Sequence, residues 1–200
     1  MTASHRLVGA TTLARIADPG QDDGELLRRI GHGDENALAE LYQRHARIVL
    51  AQILLVTGER MLAEEILQDT MLAVWRGAAA FRGESSVRSW MVGIARRQTR
   101  DRLRGRRLQV VDDSFLADQP FPGPGPELAA LDRAELAAVI KAIRQLPPLH
   151  REVLGLVFGT GLSLPEVAGV LEVPLGTVKS RLSSARTALG SMLDKEGRIR

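Results

Sequence analysis

Ser163-Leu-Pro-Glu-Val-Ala-Gly-Val-Leu-Glu-Val-Pro-Leu-Gly-Thr-Val-Lys-Ser-Arg-Leu-Ser-Ser-Ala-Arg-Thr-Ala-Leu189 divides into two helical halves around Glu172-Val173-Pro174. Ser163 and Glu166 stand in the S-x-x-E spacing of a capping box, and Pro165 is tolerated in a first turn, so a short helix is expected over about 164–171. The second half predicts a helix from about Leu175 to Leu193. Val178, Leu182, Ala185 and Leu189 recur at spacings of four, three and four and define its inward face. Thr177, Lys179, Ser180, Arg181, Ser183, Ser184 and Arg186 are left outward. Two helices joined by a turn of about three residues, the second polar and basic outside, match the helix-turn-helix pattern. A plain helical hairpin has the same spacing. In a helix-turn-helix the second helix would enter the major groove, with Thr177, Lys179, Ser180, Ser183 and Ser184 nearest bases or phosphates.

Working back from this pair, Gly159 and Gly161 predict a turn, Pro147-Pro148 starts a helix that runs to about Phe158, and residues 127–145 form another. Before them, residues 108–126 carry Asp112, Asp113 and Asp118 and then Pro-Phe-Pro-Gly-Pro-Gly-Pro, a composition that forbids helix and predicts a flexible acidic linker. Four further helices are expected over 22–107. Asp22 or Asp23 caps the first, through Ile30, and Asp34 caps the second, which Gly58 ends. On the second helix Leu38, Leu41, Tyr42, His45, Val49 and Gln52 share a face expected to be largely buried. Ala63, Ile66, Leu67, Thr70, Met71 and Val74 define the third helix, and Val87, Trp90, Met91, Ile94 and Leu103 the apolar side of the fourth. No stretch alternates with period two, so the chain reads as all-α, with small helical domains at 22–107 and 127–195 and a disordered, polar tail at 1–21.

The 200 residues are 44% hydrophobic and 26% charged, an ordinary globular composition. The net charge of +3 hides blocks of opposite sign. Residues 82–107 hold nine Arg against Glu84 and Asp101, whereas residues 21–75 hold ten acids against five Arg. Different segments are therefore expected to meet different partners. The absence of Cys excludes disulfides, thiolate metal sites and cysteine nucleophiles, and suits a reducing cytoplasm. No apolar run reaches the roughly 18 residues of a membrane span. His5, His32, His45 and His150 belong to no ligand-spaced motif, and no phosphate-binding glycine loop occurs. The expectation is no catalytic residue, no metal and no cofactor.

The basic block is geometrically ordered. At about 100° per residue, Arg97, Arg100, Arg104 and Arg107 all fall within about 100° of Arg96, which makes one stripe with only Asp101 locally able to neutralise it. Such a stripe suits a polyanion, with binding that weakens steeply in salt. The loop Phe81-Arg82-Gly83-Glu84-Ser85-Ser86 is small and polar, and Phe81 and Trp90 flank it. It could supply a pocket for an unstacked base, although Trp75, Phe81 and Trp90 equally fit a hydrophobic core. Glu64, Glu65, Gln68 and Asp69 form an acidic face beside Leu72, either an ordinary solvated surface or one suited to a basic partner.

Leu62 to Arg76, Phe81 to Arg96 and Gly176 to Arg186 together resemble the extracytoplasmic-function (ECF) sigma factors of bacterial RNA polymerase. The three motifs occur in the family's order and cover about residues 22–193. The resemblance implies a two-domain initiation factor with no catalysis of its own, whose partners are core RNA polymerase and promoter DNA. Glu64, Glu65, Gln68 and Asp69 would dock the polymerase clamp, and Phe81 to Ser86 would capture a flipped minus-ten base. Arg88, Arg96, Arg97, Arg100 and Arg104, with Trp90 nearby, would line the non-template strand. Thr177, Lys179, Ser180, Arg181, Ser183 and Ser184 would face the minus-35 duplex. The linker would thread toward the RNA exit path, where Asp112, Asp113 and Asp118 mimic nucleic-acid charge, and an anti-sigma factor would hold the two domains silent. Arg97 and Ser183 depart from the common family residues, so the promoter sequence stays open. Two alternatives keep the residues but change the partner: a helix-turn-helix regulator acting alone, and a helical adaptor whose stripe binds anionic lipid. The scarcity of bulky apolar residues between the arginines disfavours the lipid.

Overall fold

The computed structural model describes residues 19–107 and 133–195, with side chains described from Asp23 to Gly105 and from Val139 to Leu193. The N-terminal tail, the linker with Asp112, Asp113 and Asp118, and the expected helix start at Glu127 lie outside the described residues. Helices α1 (Pro19–Gly31), α2 (Glu35–Thr57), α3 (Arg60–Gly77) and α4 (Val87–Arg107) form the first module. The second contains α5 (Arg133–Gln145), α6 (Pro148–Leu154), a π-helical turn (Gly155–Gly159), α7 (Leu164–Leu171) and α8 (Leu175–Lys195). The described residues contain no strand.

The helix boundaries follow local chemistry. Asp34 caps α2, its carboxylate accepting from the Asn36 and Ala37 amides at 2.9 and 3.1 Å. Gly58 ends α2 at φ +71°, its amide donating to the Leu54 carbonyl. Glu166 accepts from the Ser163 amide at 2.9 Å and from its hydroxyl at 2.7 Å at the start of α7. Helix α7 ends in a Schellman arrangement: the Val173 amide donates to the Ala168 carbonyl at 3.1 Å and the Glu172 amide to Gly169 at 3.3 Å. Glu172 takes the left-handed position at φ 57°, the one non-glycine with positive φ among the described residues. A side chain there costs about 1 kcal/mol. Glu172→Gly is therefore expected to stabilise the chain by about 0.5 kcal/mol, once the looser unfolded state is counted. A higher urea midpoint at unchanged slope would show it.

The third-helix face is as expected, with Ala63, Ile66, Leu67, Thr70, Met71 and Val74 all buried. Three expectations need correction. Asp23 is no cap: α1 begins at Pro19, which puts Asp23 one turn inside, where it is buried and bonded to Arg44 at 3.0 Å and His45 at 2.6 Å. Tyr42 is 46% exposed, because it lies at the margin of the α2 face while Leu41, His45 and Val49 point inward. On α4 the buried positions are Val87, Ser89, Met91, Val92, Ala95 and Thr99, with Trp90, Ile94 and Leu103 only half-buried. The buried side of α4 packs on α2 and α3, and Trp90, Ile94 and Leu103 lie at its rim.

The core does not stop at the module boundary. Buried residues from Leu26 to Ala185 make one continuous cluster. Helix α7 packs on α4, while α6 and the π turn pack on α2.

Candidate nucleic-acid interface

Ser86 starts the basic helix: its hydroxyl accepts from the Ser89 amide at 3.2 Å, and its carbonyl from Trp90 at 3.0 Å. The expected loop stands out from the surface, with Arg82, Gly83, Glu84, Ser85 and Ser86 exposed. Phe81 is half-buried, its ring 5.1 Å from that of Trp90 at 52°, and a Cβ on Gly77 would lie 3.2 Å from the Trp90 ring. Trp90 thus buttresses the root of the loop. From α4, Arg97, Arg100 and Arg104 project into solvent with no ion pair among the described residues.

The stripe is not uniform, and its neutralising partner is not Asp101. Arg96 is half-buried, with its Nε 2.8 Å from a Glu152 carboxylate oxygen on α6. Arg88, also half-buried, donates to the Thr160 carbonyl at 3.3 Å. The Ser86 hydroxyl donates to Glu166 on α7 at 2.5 Å. Burial alone would push the Glu166 carboxyl up, but the hydrogen bonds from Ser86 and Ser163, with Arg88 nearby, outweigh it and hold it below the ordinary value. One end of the stripe is therefore covered by the second module and the other end is open.

The acidic face is formed on α3. Glu65 and Gln68 are exposed, and Glu64 and Asp69 half-buried. Two of its carboxylates already hold a cation: Arg102, on the opposite side of α4 from the stripe, lies 3.4 Å from Glu65 and 2.5 Å from Asp69. Glu64 pairs with Arg60 at 2.8 Å. Beside them a groove of about 380 Å³ is lined by Asp69, Leu72, Arg76, Gln98, Asp101 and Arg102, with Leu72 52% exposed.

In the second module, Val178, Leu182 and Ala185 anchor α8 against α6 and α7. Lys179, Ser180, Ser183 and Ser184 are exposed, and Thr177 and Arg181 are half-buried. Ser180 donates to the Thr177 carbonyl at 3.0 Å, which leaves its oxygen able to accept. Each expected cluster is thus coherent on its own helix. Sequence reasoning missed the residues that join clusters across the modules: Glu152, Thr160 and Glu166, with Gln52 and Gly155 behind them. Gly155 carried a signal, since an isolated glycine in a helical pattern costs about 1 kcal/mol against alanine and so points to a packing reason.

The Sigma-70 region 2 family model matches residues 41–109 and the Sigma-70 region 4 model matches 142–189. The chain is 32% identical over 186 residues to RNA polymerase sigma factor NccH of Alcaligenes xylosoxydans xylosoxydans, covering 89% of this chain and 97% of that one. It is 34% identical over 176 residues to the ECF RNA polymerase sigma factor SigM of Mycobacterium tuberculosis, covering 86% and 85%. Among solved structures it is similar to the sigma factor RpoE in complex with the anti-sigma factor NepR from Bartonella quintana. That match has a TM-score of 0.59 and 26% identity, over 78% of this chain and 97% of that one. Two helical modules, a basic helix with a projecting loop in the first and a helix-turn-helix in the second thus come with region 2 and region 4 sequence in the same order, and the chain belongs to the ECF sigma factors of RNA polymerase.

Proposed function

We propose that the chain is a dissociable specificity subunit that brings core RNA polymerase to a set of promoters and opens them without catalysis of its own. The module at 22–107 docks the polymerase and holds the minus-ten element, and the module at 127–195 reads the minus-35 duplex. The observation that carries this reading is the row of exposed arginines, Arg97, Arg100 and Arg104, running from an exposed loop on a buttressed aromatic root. A base turned out of the stack would be captured by Phe81 to Ser86, while Arg88, Arg96 and the exposed arginines hold the parted strand's phosphates. Unstacking costs a few kcal/mol, which those charge contacts must offset.

Polymerase docks on Glu64, Glu65, Gln68 and Asp69. A basic helix there would take over the carboxylates that Arg102 now holds, and Leu72 supplies the apolar contact beside them. Thr177, Lys179, Ser180, Arg181, Ser183 and Ser184 face the minus-35 bases and backbone. The linker with Asp112, Asp113 and Asp118 passes toward the polymerase's RNA exit path. The setting is the cytoplasm; no helix among the described residues is long and apolar enough to cross a membrane. An anti-sigma factor is the regulatory partner, by likeness to RpoE, which is solved with NepR.

Reconstituted transcription tests the proposal. Core polymerase with the chain should initiate at promoters selected from genomic fragments where core alone does not. Equal initiation without the chain would overturn it, and tight duplex binding by the free chain would favour the regulator that acts alone.

A further inference from the structure

The acidic face of α3 is already answered from within its own module. Arg102 reaches across from α4, one terminal nitrogen 3.4 Å from Glu65 Oε2 and the other 2.5 Å from Asp69 Oδ2. A single guanidinium thus bridges two carboxylates one helical turn apart, which a planar fork can do and a lysine's point charge cannot. The bridge is not needed to join the two helices. Gln98, one turn before Arg102, already ties α4 to the α3 backbone: its Nε2 donates to the Asp69 carbonyl at 3.1 Å, and its Oε1 accepts from the Thr70 hydroxyl at 3.2 Å. We propose that Arg102 stands in for the polymerase's cation in the free factor, so that docking exchanges one guanidinium for another and Arg102 sets how tightly the factor is held. The inference rests on the docking role of Glu65 and Asp69 proposed above.

Position and exposure both suit an exchange. Arg102, Asp69 and the exposed Leu72 line one groove, so a basic helix seated on Leu72 meets the Arg102 side chain. Left in place, Arg102 repels the incoming cation and keeps both carboxylates. Swung aside, it gives them up and returns its charge to water. That step costs little, because the Arg102 side chain is 47% exposed and its two partners 57% and 40%, so solvent already screens the bridge. The neighbouring Arg60–Glu64 pair lies within one turn of α3 and does not line the groove, so it offers no such competition. Arg102 also sits about 160° around α4 from Arg100, which leaves the strand-facing stripe untouched when it moves or is replaced.

Titrating core RNA polymerase into the fluorescently labelled full-length chain tests the exchange. At about 0.1 M salt, Arg102→Gln is expected to bind core about threefold tighter than wild type, close to what one exposed ion pair contributes. Arg102→Lys, which keeps the charge and loses the fork, should fall between the two. The gain should vanish when Arg102→Gln is placed in a Glu65→Gln, Asp69→Asn chain, which has no carboxylate for Arg102 to hold. Equal or weaker binding by Arg102→Gln would overturn the exchange, and so would a gain that persists without the two carboxylates. The docking role is read separately from the Glu65→Gln, Asp69→Asn chain with Arg102 intact, which should bind core more weakly than wild type. Unchanged binding there would strike the docking role and the exchange with it, whereas weaker binding there without a gain from Arg102→Gln would strike the exchange alone.

Discussion

Replacing Arg97, Arg100 and Arg104 together by alanine is expected to lower the affinity of the holoenzyme for single-stranded minus-ten DNA about a hundredfold near 0.1 M salt. Each single-strand phosphate neutralised contributes about 0.7 to the slope of log K against log salt. Three arginines therefore contribute a slope of about 2, and over the tenfold range from 1 M to 0.1 M salt that is a factor of about 100. The triple variant should thus bind almost as well as wild type at 1 M salt and diverge from it as salt falls. Fold stability should change little, because all three side chains are exposed, with no ion pair among the described residues. Equilibrium titrations at four or more salt concentrations measure it. A parallel offset with unchanged slope would mean that these arginines do not meet phosphate.

Asp23→Ala is expected to destabilise the first module by about 2–3 kcal/mol and lower its unfolding midpoint by roughly 10 °C. Asp23 is 4% exposed and is shared by Arg44 on one oxygen and His45 on the other, at 3.0 and 2.6 Å. Its removal leaves a buried imidazole and a part-buried guanidinium without that carboxylate. Arg44 keeps Glu40 and some solvent, which holds the cost below the roughly 3–5 kcal/mol lost when a fully buried pair is broken.

The same site gives a pH signature. Burial holds the His45 pKa below its ordinary value of 6.5, and the attraction of Asp23 only partly opposes this. The unfolded chain therefore takes up a proton that the folded chain refuses. Stability is complete above about 6.5 and falls as pH drops through the unfolded value toward the folded one. Unfolding midpoints between pH 7.5 and 5 should decline in wild type, decline more steeply in Asp23→Ala, and decline less in His45→Gln. A flat wild-type profile would contradict the assignment.

Much of the fold was legible because the helical signals are local. Asp34 and Gly58 bracket α2, Ser163 and Glu166 open α7, and the three-four spacing of Val178, Leu182 and Ala185 orients α8. Asp23 escaped because an acid near a helix start has two uses, cap or buried partner, and only the position of α2 twenty residues on selects between them. Trp90 was ambiguous for a similar reason, since only the fold sets its ring against Phe81 at the root of the loop.

Periodicity, caps and charge blocks within single helices sufficed for the all-α architecture, the helix-turn-helix, and the arginine and acidic faces, since each is set by residues three or four apart. Whether a given arginine is free or engaged depends on residues such as Glu152, 56 positions from Arg96, and Glu166, 80 from Ser86. Charge counting along the chain treats Arg96 and Arg100 alike. Only packing of α6 and α7 against α2 and α4 separates them, because Coulomb interaction and desolvation follow distance in space and not distance in sequence.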